Sequence, residues 1–286
     1  MIDLHIHTIA SDGQHTAAEV VEMARALELF AIAVADHNSV ESVAEAEAAA
    51  REAGIEFAPA VELDTIFRGR DLHLLGYFIA YQSPGWREYN RQIYAAKLEQ
   101  TRKRVERLKQ CGFVIDFDEL IAISGRRLPY GLHFMAAMKR HPENFANPEF
   151  TAFIDGPRSD SPFLNFYLDW LRTGRPAFVP LEEQPAELVI EKIREHGGVP
   201  VLAHPADAPP EDVHALIDCG LMGLEVYSSY HDEARTRAWL EVAGQRKVLV
   251  TAGSDFHGLK HKPGIKMAAI PGNRDELFQA LQNAAG

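Results

Sequence analysis

The sequence predicts an α/β fold in which about seven strand–helix units surround one core and a mainly helical insertion interrupts them. Three observations lead there. Short apolar strands alternate with amphipathic helices over roughly the first 80 residues, at a spacing of about 25 residues per unit. That rhythm returns after Pro180. Between about Ser83 and Thr173 it gives way to helical pattern with no period-2 alternation. Residues 1–82 and 179–286 are therefore read as two parts of one barrel, with 83–178 as the insertion or lid. A barrel fits better than an open sheet because so many units have to share one core.

Taken in order, Ile2–Ile6, Phe30–Ala35, Glu56–Val61 and Leu72–Ile79 read as strands, with helices near 17–28 and 40–53. Thr16 with Glu19, and Asn38 with Glu41, have the three-residue offset of a capping box. A charged helix from about Trp86 to Cys111 stops at Gly112, and its mixture of Arg, Lys and Glu, Lys97 and Arg104 included, reads as a solvated face. Pro185 opens a helix that stops at Gly197-Gly198, the usual asymmetry of Pro at the start and Gly just past the end. Strands follow at Val199–Ala203, Gly223–Tyr227 and Val248–Ala252, with helices near 211–219 and 231–244.

Composition narrows the class. The chain has 286 residues, 47% hydrophobic and 24% charged, which is ordinary for a globular protein. No apolar run approaches the roughly 20 residues that span a bilayer, and the N-terminus carries no charged-then-apolar leader, so a cytoplasmic protein is expected. Cys111 and Cys219 form neither a disulfide framework nor a Cys-x-x-Cys pair. A net charge of −12 argues against an extended nucleic-acid surface, but not against a small phosphorylated substrate held through metal ions. No obligate protein partner is evident.

The chemistry lies at the strand ends. His5 and His7 leave the first strand two residues apart and so share a face, with Asp12 in the next loop. Asp36 and His37 end the second strand, Glu62 the third, and His73 lies on the fourth. His204 follows Val201-Leu202-Ala203, and Asp255 and His257 follow the strand through Ala252. In a parallel βα barrel such ends open onto one mouth. Imidazole and carboxylate without thiolate suit catalytic Zn, Mn or Fe rather than a structural zinc site. Nine candidate ligands, His5, His7, Asp12, His37, Glu62, His73, His204, Asp255 and His257, exceed the needs of one ion and suggest two or three.

His5-Ile6-His7 through Ser11-Asp12-Gly13, Asp36-His37-Asn38, Glu62, His73, Ala203-His204-Pro205 and Ser254-Asp255-Phe256-His257 together resemble the PHP (polymerase and histidinol phosphatase) family, in order and over about residues 1–80 and 180–262. The resemblance implies a distorted (β/α)7 TIM-like barrel of the amidohydrolase superfamily and a trinuclear centre, with manganese the first choice of metal. It assigns His5, His7, Glu62 and Asp255 to one ion, Glu62, His73 and His204 to a second, and Asp12, His37 and His257 to a third. Asn38 stands where many relatives have a second aspartate and also reads as a helix N-cap. Small stand-alone members resemble this chain most, which implies phosphate-ester hydrolysis by metal-bound hydroxide on a small nucleotide or sugar phosphate. A nucleoside 3′,5′-bisphosphate and a phosphoribosyl cyclic phosphate are examples. The alternatives are 5′–3′ exonuclease action on short RNA and, from another class, C–N hydrolysis by an amidohydrolase.

Beyond the ligands, Asp36 is expected to orient a metal-ligating histidine by accepting its ring N–H. His204 and Asp255 are the expected catalytic residues, His204 as a proton donor to the leaving group. Similar small phosphatases carry an Arg-x-His-Phe segment that meets substrate phosphate; His133 matches its histidine, but Gly131 replaces the arginine, so Arg126 and Arg127 are the candidates to take its place. Ser228 and His231, with Tyr230 between them, follow a strand and are expected at the mouth, and Lys262 and Lys266 are candidates to neutralise a second phosphate.

Overall fold

The computed structural model describes residues 1–205, 208–272 and 274–285. Among the described residues, eight strands form two sheets. β1 (Ile2–Ile6), β2 (Ala31–Val34) and the two-residue β3 (Glu56–Phe57) are parallel neighbours. β4 (Ala60–Phe67), β5 (Arg70–Tyr77), β6 (Val199–Leu202), β7 (Gly223–Ser228) and β8 (Leu249–Gly253) form the second sheet in that order. Single bridges join the sheets at both edges, Ile6 to Phe256 and His37 to Glu62. β1, β2 and β6 are buried along their whole length, as strands covered on both faces must be, and apart from Asp3 and His5 they are apolar.

One strand departs from the expected βα rhythm. β4 turns directly into β5, and β5 runs antiparallel to both β4 and β6. Arg68 and Gly69 both have positive φ, 49° and 77°, the geometry of the two-residue hairpin turn whose twist matches the strands it joins. The residues that make this turn carry no Asn-Gly or Asp-Gly signal, so the sequence pattern leaves it unmarked.

α1 (Ala17–Ala26) and α2 (Val43–Ala53) cover β1 and β2, burying Val20, Val21, Ala46 and Ala50 against Ile6, Ile32 and Val34. The Thr16–Glu19 capping box forms as its spacing predicts. The second expected box does not. α2 begins after Ser42, and Asn38 instead sits at φ 52° with Oδ1 accepting the Asp64 N–H at 3.1 Å. α8 (Ala186–Glu195), α9 (Pro210–Asp218) and α10 (Glu233–Arg246) pack on the second sheet through Val189, Ile190, Ile193, Val213, Leu216 and Trp239. α11 (Asp275–Ala285) closes the end of the sheets remote from the site, placing Phe278 and Leu281 against Ile2, Leu4, Tyr77 and Val199.

Between β5 and α8 lies the helical region, α3 (Pro84–Gln110), α4 (Phe117–Ile123), α5 (Gly131–Lys139), α6 (Pro148–Thr151) and α7 (Pro162–Phe166). It has a hydrophobic cluster of its own, built from residues such as Leu108, Phe113, Phe134, Phe150, Phe166 and Trp170. α3 starts at Ser83, whose hydroxyl accepts the Trp86 N–H, and stops before Gly112 at φ 88°.

Candidate metal centre

A fault in strand pairing aims the first two histidines. β1 pairs regularly with β2 at Ile2 and Asp3, and the register shifts before Ile6. Ile2 and Leu4 therefore face the cluster closed by α11, whereas Ile6 packs outward under α1. His5 and His7 take up the inward face at the opposite end. A bulge reverses the parity of a strand in this way. β7 has a second shift just after Glu225. Three further site residues sit where the chain leaves a strand with positive φ, Asn38 at 52°, His204 at 26° and Asp255 at 59°. Such backbone is costly for a residue with a Cβ and persists where the surroundings fix it.

All nine predicted ligands converge. Glu62 is the hub, since His5 Nε2, His7 Nε2 and His37 Nδ1 lie 3.2, 3.2 and 3.0 Å from its Oε2. His73 Nδ1 and His204 Nε2 each lie 3.0 Å from its Oε1. His7 Nε2 is 3.0 Å from Asp255 Oδ1, and His257 Nε2 is 3.2 Å from Asp12 Oδ1. Glu62, fully buried, owes its position to β4, and the antiparallel course of β5 brings His73 to the same end although it lies early in its strand.

These distances are not those of a finished hydrogen-bond network. Glu62 Oε2, Asp255 Oδ1, Asp12 Oδ1, His37 Nδ1 and His257 Nε2 are all sealed from solvent and have no hydrogen-bond partner among the described residues. His5 Nε2 and His7 Nε2 point at one another at 3.1 Å. Buried polar atoms are normally paired, and each exception calls for a reason. Separations near 3 Å between donor atoms are what ligands about 2.1 Å from a shared ion require. Three groups have donor atoms close enough to hold an ion: His7, Asp12, His37 and His257; His5, Glu62, His204 and Asp255; and His37, Glu62 and His73. The residues present thus fit divalent metal.

Acceptors hold the outer nitrogens of two ligands and so aim their inner nitrogens at the cluster. Burial opposes a charge on His5, but Glu62 and Glu225 raise its pKa well above the usual range, so an ion binding there has to displace a proton. His5 Nδ1–H donates to Glu225 Oε1 at 3.0 Å, and His257 Nδ1–H donates to the Asp255 carbonyl at 2.8 Å. Burial, aided by His7 and Lys262, lowers the His257 pKa to about 4, which keeps the ring neutral as a ligand must be. Burial alone would raise the Glu62 carboxyl, but His37, His5 and His73 hold it well below the usual carboxylate range. Burial likewise opposes ionisation of Asp255 and is outweighed by Lys262 and His257.

Asp36 does not touch the His37 ring. It accepts from Thr8 N and Thr8 Oγ1, both at 2.7 Å, from Ser11 Oγ at 2.6 Å and from Ser42 Oγ, and so pins the loop after β1. Ser11 in turn lies 3.4 Å from His7 Nδ1, so Asp36 acts on a histidine through a hydroxyl.

Asp12, His37, His73, His204, Asp255 and His257 line the floor of a cavity of about 490 Å³ walled by α3, α5 and α7, and His5, His7 and Glu62 are not part of that lining. The substrate-contact candidates fall differently from the ligands. Arg126 and Arg127 are exposed and outside the lining; Arg127 donates to Glu41 and to the Ile9 carbonyl. His133 caps α5, its Nδ1 accepting the Tyr130 N–H at 3.0 Å, and Ser228 and His231 are buried behind the wall. Gly131 lines the cavity with a Cβ position only 2.8 Å from the Phe163 carbonyl, which leaves no room there for an arginine. Tyr230 does line it, donating to Asp255 Oδ2 at 2.5 Å, and Lys262 Nζ donates to the same oxygen at 2.6 Å. Lys266 is not in the lining.

Several polar residues at the site went unnoticed in the sequence. Glu225 holds His5 and accepts the His204 N–H at 2.9 Å. Asp64 lies 3.5 Å from both His37 Nδ1 and His73 Nε2 and accepts from Lys97 Nζ at 2.5 Å. Asp3 accepts from Ser254 N and Oγ and from Ala268 N. Glu225 lies two residues before Tyr227 at a strand's end, the one signal that pointed its way. Lys97 and Arg104 on α3 are buried rather than solvated.

A strand-end array of imidazoles and carboxylates without thiolate, opening on a cavity, defines a catalytic divalent-metal centre rather than a structural one. Comparison with known proteins adds a family match: the PHP domain model matches residues 3–143 of the chain. It is 24% identical over 261 residues to a phosphoribosyl 1,2-cyclic phosphate 1,2-diphosphodiesterase of Eggerthella lenta, covering 90% of this chain and 94% of that protein. It is 27% identical to a 3′,5′-nucleoside bisphosphate phosphatase of Chromobacterium violaceum, covering 90% and 87%. A 5′-3′ exoribonuclease of Haemophilus influenzae is also 27% identical, with 89% of each chain covered. Among solved structures, a protein of Bifidobacterium adolescentis described as a candidate metal-dependent phosphoesterase superposes with a TM-score of 0.76 at 27% identity, over 99% of this chain and 96% of that one.

Proposed function

We propose that this PHP-domain protein is a metal-dependent phosphoesterase acting on a small nucleotide or sugar phosphate, such as a nucleoside 3′,5′-bisphosphate or a phosphoribosyl cyclic phosphate. The observation that carries the reading is the set of sealed, unpartnered ligand atoms around Glu62 at the floor of a cavity. The named relatives support the choice of phosphate esters, and they match nearly the whole chain.

In this reading β1, β2, β4 and β5 to β8 make a distorted seven-stranded TIM-like barrel, and residues 83–178 form a lid over its mouth. His5, His7, Asp12, His37, Glu62, His73, His204, Asp255 and His257 hold two or three divalent ions, manganese first among them. Ions bound there supply Lewis-acid charge to a phosphoryl oxygen and activate water near neutral pH. The protein's own groups do the rest. Glu225 and the Asp255 carbonyl fix the tautomers of His5 and His257. Lys262 puts a cation at the edge of the cavity for phosphoryl oxygens, and Tyr230 holds it there by accepting from its ammonium while donating to Asp255. His204, part-exposed above the stacked ring of His5, is placed to give the leaving oxygen a proton. The helical wall limits the substrate to something that fits the cavity, which favours a small molecule over a long chain.

The test is phosphate release by manganese-reconstituted protein across nucleoside bisphosphates, sugar phosphates, cyclic phosphates and short 5′-phosphorylated RNAs. Turnover of a small ester that chelation abolishes is the expected result. Protein with its metal bound that hydrolyses nothing on the panel overturns the proposal, and a rate rising with RNA length transfers it to exoribonuclease action.

A further inference from the structure

Glu225, Glu62 and Asp255 are buried carboxylates beside the histidine rings, and they differ in how many oxygens the protein itself already occupies. Both oxygens of Glu225 accept donors, one from His5 Nδ1–H and one from the His204 N–H. Both oxygens of Glu62 face the rings of candidate ligands, Oε2 toward His5, His7 and His37 and Oε1 toward His73 and His204. Asp255 is divided. Its Oδ2 accepts the Tyr230 O–H at 2.5 Å and a Lys262 N–H at 2.6 Å. Its Oδ1 is sealed from solvent with no hydrogen-bond partner among the described residues, and it faces His7 Nε2 at 3.0 Å and His5 Nε2 at 3.6 Å.

The backbone alone does not produce that division. The last torsion of an aspartate side chain is broad and roughly two-fold, so turning the carboxylate exchanges its oxygens with little penalty. Two donors on one oxygen remove that freedom, and both bonds are of the stronger, charge-assisted kind. The donors come from different loops, and each loop is fastened. Tyr230 lies in the turn between β7 and α10, where the His231 N–H donates to the Ser228 carbonyl at 3.2 Å and His231 Nδ1–H to the Val226 carbonyl at 2.8 Å. His231, expected at the mouth, thus serves behind it as the anchor of Tyr230. Lys262 lies in the turn after β8, its N–H donating to the Gly258 carbonyl at 2.9 Å. Beside it His261 Nδ1–H donates to the Asp12 carbonyl at 2.8 Å. The Lys262 ammonium also donates to the Tyr230 hydroxyl at 2.9 Å, so the two arms hold each other.

We propose that Tyr230 and Lys262 are positioning residues that clamp Asp255 by one oxygen, so that it offers an ion its Oδ1 alone while Glu62 offers both of its oxygens. The division gives the two carboxylates different tasks. Glu62 belongs to two of the three groups of donor atoms that could hold an ion and can link them, whereas Asp255 belongs to one. The clamp rests on the metal-dependent reading of this site and is independent of which ester is the substrate.

The experiment takes cobalt-loaded protein, whose visible absorption reports the number and arrangement of ligand atoms, together with manganese affinity measured by competition with a chelator dye. Tyr230→Phe removes one arm and no charge. The expected result is a cobalt spectrum displaced from that of wild type as Oδ2 becomes free to join Oδ1. Its manganese Kd should rise about 10- to 100-fold, the usual loss when a group that orients a ligand is removed. Lys262→Met removes the other arm and should displace the spectrum in the same sense, and Lys262→Arg, which can still donate to Oδ2, should recover most of the wild-type spectrum. A tyrosine that merely packed the cavity wall would leave the spectrum unmoved. Y230F and K262M that are folded by circular dichroism, with spectra superimposable on that of wild type, overturn the clamp.

Neither measurement needs a substrate, which keeps the two readings apart. Protein that hydrolyses no ester yet shows the displaced spectra upholds the clamp and removes the phosphoesterase reading. Active enzyme with unmoved spectra does the reverse. Wild type that takes up no cobalt overturns the clamp and the metal centre together.

Discussion

Replacing Glu225 by glutamine tests whether the metal centre depends on a residue that touches no metal position. Glu225 is fully buried on β7 and uses both oxygens as acceptors, Oε1 for His5 Nδ1–H at 3.0 Å and Oε2 for the His204 N–H at 2.9 Å. Glutamine has the same shape but can accept at only one end. Whichever way its amide is turned, an NH2 group faces a donor, and either His5 or the His204 backbone loses its acceptor. The side chain has little freedom to shift, because a Cβ at Gly253 would lie only 2.2 Å from Glu225 Oε1. A buried donor left unsatisfied costs about 1–3 kcal/mol. If His5 is the one deserted, its ring is free to turn or change tautomer, and its Nε2 is no longer reserved for the ion. The expected loss in metal affinity is about 10- to 100-fold, the usual effect of removing a carboxylate that orients a ligating histidine. The assay is competitive titration of metal-free E225Q and wild type with manganese against a chelator dye, with circular dichroism to confirm folding. A folded E225Q that binds manganese within two-fold of wild type refutes the reasoning, since His5 would then need no holder.

Other outcomes follow from the same geometry. Glu62→Gln should cost more than the roughly 100-fold expected of an outer partner, because Glu62 adjoins His5, His7, His37, His73 and His204 at once; metal content after dialysis is the check. Saturating metal at about 100 times Kd should add about 2.7 kcal/mol to stability. For a chain of this size that raises Tm by about 4–5 °C, and calorimetry with and without chelator that shows no shift would contradict a bound ion. His133 gives a pH dependence. Burial lowers its pKa from 6.5 to about 4, so the unfolded chain binds the proton more readily between those values. Its contribution is present above about pH 6.5 and is lost as pH falls toward 4, by about 2 kcal/mol after allowance for partial exposure. Urea denaturation at pH 7 and pH 4.5 should show the gap between wild type and His133→Asn narrowing by that amount on acidification; a constant gap would count against a buried neutral ring.

The strands that carry the ligands could be read from the sequence because parallel strands buried on both faces must be apolar, and a histidine or aspartate ending such a run has few other reasons to be there. β1, β2, β6, β7 and β8 lie close to their expected positions for that reason. The β4–β5 hairpin did not show itself, because Arg68-Gly69 lacks the usual turn signature and the strands are long enough to suggest separate units. Asn38 misled for a related reason: the same short amide that caps a helix also tolerates positive φ, and only the arrival of Asp64 from another strand decides between the two.

What the sequence hid at the site is of one physical kind. A metal ligand announces itself by its residue type at a strand end, but a residue that balances or orients it is defined by a partner far away in the chain. Glu225 matters through His5, 220 positions away, and Lys97 through Asp64, 33 away. On α3, Lys97 and Arg104 sit among alternating charges that would be equally at home in water, and only the tertiary fold turns that face inward. The substrate contacts suffer most, since they come from a region whose surface could be basic for solubility or for binding. Arg126 and Arg127 look right by composition yet lie on the outside, one of them tied to Glu41, whereas Arg104 looks ordinary and is buried in the cavity wall near Asp71. Residue type can nominate an anion contact, but which cations face the cavity is visible only once the fold has turned each helix face inward or outward.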